Sequence, residues 1–210
     1  KIDIQNFIDY LIAEIYFANY DWPCNNYKMW KSNNPESKWR FLIYDLDLSF
    51  GFDNKSTAST NSLEHATRLG NEWPYCECSN LLFRSLLQND SFQTQFINRF
   101  AYHLNYTFDS NKLIDIINEF EELFSDEITE HINRWNYPLN LNQWKEEIDI
   151  LREFAVDRPC YITQYLMSYF DLKEFDFDCM SDKIAGENIL SMNPNPSNGN
   201  CFLYNNTMQD

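Results

Sequence analysis

Glycine is scarce in this chain, with 4 residues among 210, and proline contributes only 7. With 44% hydrophobic and 17% aromatic residues beside it, that shortage excludes a collagen repeat, a flexible linker protein and a disordered chain. It also leaves no glycine-rich cover of the kind that wraps nucleotide phosphates. Cations are half as common as anions, 16 Lys and Arg against 32 Asp and Glu, for a formal net charge of -16. Such an excess argues against a nucleic-acid backbone or an anionic membrane surface as partner and leaves divalent cations welcome. No run approaches the roughly 18 consecutive apolar residues of a membrane span. The longest apolar segment near the start, Tyr10 to Ala18, is interrupted by Glu14, so no transmembrane segment is predicted. An initiator methionine and a signal peptide are missing too, and the opening Lys1-Ile2-Asp3 runs straight into a helical pattern, which reads as the C-terminal part of a longer protein.

What is present is a core-forming composition, 44% hydrophobic and 17% aromatic. The length suits one domain plus an appendage, or two small domains. Six cysteines (Cys24, Cys76, Cys78, Cys160, Cys179 and Cys201) are many for a cytosolic chain of this size and favour export. Cys76-Glu77-Cys78 is spaced too tightly for the usual zinc ligands, and no matching His or Cys pair follows it.

Residues 3–19 place Ile4, Phe7, Ile8, Leu11, Ile12 and Ile15 at helical spacing behind Asp3 as N-cap, with the helix ending near Tyr20 ahead of Pro23. Two aromatic-rich stretches, 27–31 and 39–44, flank an Asn-Pro turn signal and predict a β-hairpin. Residues 51–75 lack periodicity and read as a long, functional loop. Helical patterns follow over 81–87, 92–104, 113–135, 144–155 and 162–170, with start signals at Asp90, Ser110, Asn140 and Pro159. The fold class is α+β, mostly α. Residues 173–188 read as a linker, and 189–210, with its Asn193-Pro194-Asn195-Pro196 run, as a turn-rich appendage.

The most informative stretch is 21–51. Asp21 and Asn26 stand five apart on the turn leaving a buried helix. After the hairpin, Asp45-Leu46-Asp47 closes its second strand, which Leu42 and Ile43 mark as partly buried. Carboxylates gathered at a strand end with a carboxamide nearby suit Mg²⁺ or Mn²⁺, which take a few oxygen ligands and keep waters or phosphate oxygens elsewhere. Phosphoryl transfer needs such an ion and a carboxylate to accept the proton of the acceptor hydroxyl. A kinase catalytic loop supplies Asp and, five residues on, Asn, with a further metal-binding Asp downstream. The spacing of Asp21, Asn26 and Asp45 therefore fits a kinase-like C-terminal lobe.

The residues resemble the CotH kinase family, atypical protein kinases of the secretory pathway named for spore coat protein H. The carrying segments are 6–11, Tyr20-Asp21-Trp22-Pro23 with Asn25-Asn26, Lys38 to Asp47 with Phe50-Gly51, 62–67 and 95–100, and the resemblance covers residues 1–172. It implies the C-terminal lobe of an atypical protein-kinase-like fold, with a β-hairpin carrying the metal-binding aspartates. In that frame Asp21 resembles the catalytic-loop aspartate, Asn26 the metal-binding asparagine and Asp45 the aspartate that meets the Mg²⁺ of ATP, with Asp47 a second ligand. Cys24 stands where related sequences often have Gly. A nucleotide-binding lobe with its phosphate-pairing lysine is missing and would lie upstream of Lys1, which implies that the chain alone does not turn over ATP. The segment 193–199 and the apolar residues after it resemble the start of a type IX secretion C-terminal sorting domain, which implies a secreted or cell-surface protein handled by outer-membrane secretion machinery.

The expected function is thus part of an exported kinase that transfers the ATP γ-phosphate to a hydroxyl of a protein substrate with Mg²⁺ or Mn²⁺. A second reading is a non-catalytic surface-binding or adhesion module on the same scaffold, with Trp22, Trp30, Trp39 and Trp73 as ligand-stacking or packing residues. A two-metal phosphohydrolase ranks last, because His65, His103 and His131 do not fall near Asp45. His65 reads as a loop hydrogen-bonding residue, and the acidic run from Glu119 to Glu130 as the solvated face of the helix that carries Ile116, Ile117, Phe120 and Leu123.

Overall fold

Asp3 opens the first helix as expected, its carboxylate accepting from the Asn6 amide at 3.4 Å. The computed structural model describes residues 1–70 and 78–172, with the backbone of 190–194 and 201–205. Helix α1 (Ile4–Tyr16) is apolar on nearly every side, so it lies at the centre of the core. It ends four residues before the expected Tyr20, because Ala18 takes a left-handed conformation (φ 55°) that no helix continues through.

The hairpin forms from β1 (Lys28–Trp30) and β2 (Arg40–Leu42), antiparallel, with Met29 opposite Phe41. Both strands are shorter than expected. Phe41 alone of β2 turns inward, against the Phe7 and Tyr10 rings of α1 at 4.4 and 5.3 Å. Leu42 and Ile43 are exposed rather than buried. Asp45 and Asp47 therefore lie on the loop beyond the hairpin and not on its second strand, and the left-handed backbone at Asp45 (φ 58°) explains why the ladder has stopped.

Part of the long segment read as a loop folds into α2 (Ser62–Thr67), capped by Asn61; six residues are too few to show a period. Then come α3 (Leu81–Leu86), α4 (Asp90–Tyr102), a π-helical turn at His103–Thr107, α5 (Ser110–Ser125), α6 (Ile128–Trp135) and α7 (Leu141–Tyr169). The caps of α4 and α5 are Asn89 and Asp109, one residue before those expected, while Asn140 caps α7 as expected. The pattern over 113–135 is broken into α5 and α6. The two patterns flanking Pro159 fuse into one 29-residue helix. Proline has no N–H for the carbonyl four residues earlier. Here that carbonyl, of Ala155, accepts from Ser110 Oγ of α5 at 2.7 Å, which replaces the hydrogen bond that proline cannot make.

Phe83 of α3, Phe92, Phe96 and Phe100 of α4, Leu63 of α2 and Phe154, Ile162 and Leu166 of α7 close over α1. Strands β3 (Leu190–Pro194) and β4 (Cys201–Asn205) form a second antiparallel pair. The expected linker 173–188 and the rest of the tail lie outside the described residues. No helix among the described residues is long and apolar enough to cross a membrane.

One side chain ties the ends of these elements together. Arg158 of α7 is fully buried, and all five of its N–H groups are used. Nε donates to the Tyr16 carbonyl (2.7 Å). One terminal nitrogen donates to the Ala58 and Thr60 carbonyls (2.8 and 2.7 Å), and the other to the Ile15 carbonyl (2.8 Å) and Ser62 Oγ. Burial pulls its pKa down to about 10, still well above neutrality. The cation is balanced by carbonyl dipoles at the negative end of α1. Arg158→Lys keeps a charge but cannot reach five acceptors, and leaves several carbonyls buried and unpaired. It is expected to cost about 3 kcal/mol, read as a lowered urea midpoint.

Candidate active site

Past α1 the chain reverses and is zipped to the segment beyond the hairpin. The Tyr20 amide donates to the Leu48 carbonyl at 3.0 Å, and the Phe50 amide to the Phe17 carbonyl at 2.8 Å. These two bonds bring the loop of Asp21 beside that of Asp45 and Asp47. Gly51 follows at φ +90°, where a Cβ would stand 2.8 Å from Ile150 Cγ2 of α7, so both the backbone angle and the space exclude a side chain.

Three of the expected site residues meet directly. Asn26 Nδ2 donates to Asp21 Oδ1 at 2.9 Å and to the Asp45 carbonyl at 3.2 Å. Asn25 Nδ2 donates to Asp21 Oδ2 at 3.4 Å. Asn26 adopts φ 57°, a left-handed angle that asparagine tolerates better than most residues. Beneath it the Trp22 indole N–H donates to Tyr10 Oη at 2.7 Å, and Tyr10 O–H donates to the Asn26 carbonyl at 3.5 Å. Trp22 is therefore a buried strut and not a ligand-stacking surface.

Asp21 is 9% exposed. Burial pushes its carboxyl above the ordinary range, the Asn25 and Asn26 amides oppose the shift, and the nearby carboxylates of Asp47 and Asp45 add to it. Asp47 is thus within electrostatic reach of Asp21. With its nitrogen spent on two bonds, Asn26 keeps Oδ1 for another ligand. Asn26, Asp45 and Asp47 offer oxygen donors alone, the donor chemistry that Mg²⁺ and Mn²⁺ prefer. Among the described residues no three or more His, Cys, Asp or Glu side chains are grouped so as to hold a metal ion.

The other candidates fall elsewhere. His65 is buried on α2, its Nε2 hydrogen-bonded to the Trp22 carbonyl, which bears out a hydrogen-bonding role. His103 joins Arg99 on Asp9: Arg99 Nε and a terminal nitrogen reach the carboxylate at 2.6 and 3.1 Å, and His103 Nε2 at 3.0 Å. His131 is exposed on α6. Trp30 and Trp39 are exposed on the hairpin, while Trp73 and Cys76 lie outside the described residues. The acidic residues of α5 and α6 are largely solvated as expected, but Ile116, Phe120 and Leu123 are exposed as well. Cys24 and Cys160 each take part in a disulfide; Cys78 is free. Two neighbours of the site escape a reading by motif: Glu14 and Asn19, both buried and hydrogen-bonded to each other. Their only signal is a carboxylate in the middle of an apolar helix.

Burial holds His65 below its ordinary pKa of 6.5, and the bond to the Trp22 carbonyl opposes that shift. Its contribution to stability is therefore complete above pH 6.5 and is lost as the pH falls toward the depressed value. His65→Ala is expected to lower stability by about 1–3 kcal/mol at neutral pH and to reduce this acid-side loss, measured by urea unfolding along a pH series.

The sequence model of a family described as CotH kinase protein matches residues 1–162. No curated protein and no solved structure matches the chain.

Proposed function

The chain belongs to the CotH kinase protein family, and on that premise we propose that it serves transfer of the γ-phosphate of ATP to a hydroxyl group of a protein, with a divalent cation. The observation that carries this reading is the Asn26 side chain, which joins the Asp21 carboxylate to the backbone of Asp45. Asp21 serves as the base. As the acceptor oxygen bonds to the γ-phosphorus and the bridging P–O bond to the β-phosphate breaks, the hydroxyl proton passes to its carboxylate. A raised pKa brings that carboxyl closer to a working pH than an exposed aspartate would be. Asn26 Oδ1 and the carboxylates of Asp45 and Asp47 would hold Mg²⁺ or Mn²⁺, whose charge offsets that of the phosphate oxygens. Disulfide-bonded Cys24 and Cys160 support an exported or cell-surface location.

A second reading draws on the hairpin, where Met29, Trp30, Trp39, Leu42 and Ile43 are all exposed. Such a patch suits a non-catalytic surface-binding module. The presence of Asp21, Asn26 and Asp45 together favours catalysis.

In the full-length protein, Asp21→Ala and Asp45→Ala are each expected to reduce Mg²⁺- or Mn²⁺-dependent transfer from γ-labelled ATP by about 10²-fold or more, with the circular dichroism spectrum unchanged. Full transfer by either variant contradicts the assignment. Transfer absent from the wild type, with the hairpin capturing a surface ligand, establishes the second reading.

A further inference from the structure

Glu14 and Asn19 form a buried pair whose hydrogen bonds do not close. Their side chains are 0% and 1% exposed. Asn19 Nδ2 donates to Glu14 Oε2 at 2.8 Å, and the Asn19 backbone amide donates to the Glu14 carbonyl at 3.2 Å. The remaining side-chain oxygens, Glu14 Oε1 and Asn19 Oδ1, are buried without a partner. Both are acceptors when Glu14 is ionised, so neither can satisfy the other. Two orphaned acceptors on one pair that already shares the complementary N–H···O bond lack a single hydrogen.

The charges around the pair point the same way. The carboxylate of Asp21 faces it from the following loop, and the Tyr10 hydroxyl from one turn back on α1. Arg158, which bonds the last carbonyls of α1, spends all five N–H groups on other acceptors. Nothing among the described residues neutralises an ionised Glu14, and an isolated buried carboxylate takes up a proton instead.

We propose that Glu14 is a neutral carboxylic acid whose Oε1–H donates to Asn19 Oδ1, closing a cyclic acid–amide pair that positions the loop of Asp21. Burial, with Asp21 adding to it, supports this by pushing the carboxyl up to about 7. Asn19 stands two residues before Asp21, and its neighbour Tyr20 makes the backbone bond to Leu48, so the pair fixes the strand of loop that delivers the base. Glu14 is a positioning residue, and its bearing on transfer rests on the role given above to Asp21.

The test compares Glu14→Gln with Glu14→Ala. A glutamine supplies the missing N–H and restores both bonds, whereas alanine removes them. At about pH 6, infrared spectroscopy of the wild type is expected to show the carbonyl band of a buried protonated carboxyl that Glu14→Gln lacks, and the band should vanish as the pH is raised through about 7. Because the folded value lies above the ordinary 4.5, Glu14 costs stability progressively as pH rises from 4.5 to about 7. The melting temperature of Glu14→Gln relative to wild type should therefore climb across that window and then level off, while Glu14→Ala melts lower than Glu14→Gln throughout. In the full-length protein, Glu14→Ala should lower the transfer rate and Glu14→Gln restore it. No band attributable to Glu14, or a Glu14→Gln protein as unstable as Glu14→Ala at acid pH, overturns the proposal. Band and melting behaviour as expected in a protein that transfers no phosphate support the acid–amide pair and overturn only the transfer reading.

Discussion

The buried guanidinium of Arg158 is the constraint on which the arrangement depends. It gathers the last carbonyls of α1, the segment at residues 58–60 and the start of α2 onto α7. A cation without a carboxylate partner is costly to bury, and it is tolerated here because every N–H meets an acceptor and α1 presents its negative end. The neighbouring Pro159 would ordinarily break α7, yet Ser110 takes up the freed carbonyl, so the helix carries Arg158 through the core and reaches Leu166 and Phe170 at the far side.

From that anchor the candidate site follows by short steps. With α1 ended and fixed, the chain turns at Ala18, pairs with residues 48–50, and brings Asp21 to the loop of Asp45. Asn26 bridges the two, and Tyr10, Trp22 and His65 support the bridge from below. The Asp21 carboxylate accepts from the amides of Asn25 and Asn26, with Asp45 and Asp47 on the neighbouring loop. Burial raises the Asp21 carboxyl, and the carboxylates of Asp47 and Asp45 add to the shift.

Much of this was legible in the sequence, for reasons tied to particular residues. The apolar positions of α1 repeat at helical spacing behind Asp3, and Asp21, Asn26 and Asp45, singled out by their spacing, do meet in the fold. What was not legible depends on distant partners. The passage of α7 through Pro159 needs Ser110, 49 positions away by sequence number. The shortness of β2 follows from the left-handed Asp45, and α2 is too brief to show a period. Glu14 is visible only as a break in an apolar run; that its carboxyl meets Asn19 and lacks a counter-charge emerges from burial alone.

The central claim is that the loops of Asp21 and Asp45 together hold a divalent cation for phosphate chemistry. Electron paramagnetic resonance of Mn²⁺ added to the full-length protein with ATP tests it most directly, beside Asp45→Asn and Asn26→Ala. The account predicts protein-bound Mn²⁺ in the wild type that is lost in both variants. Mn²⁺ binding that is equally strong in all three proteins would contradict it.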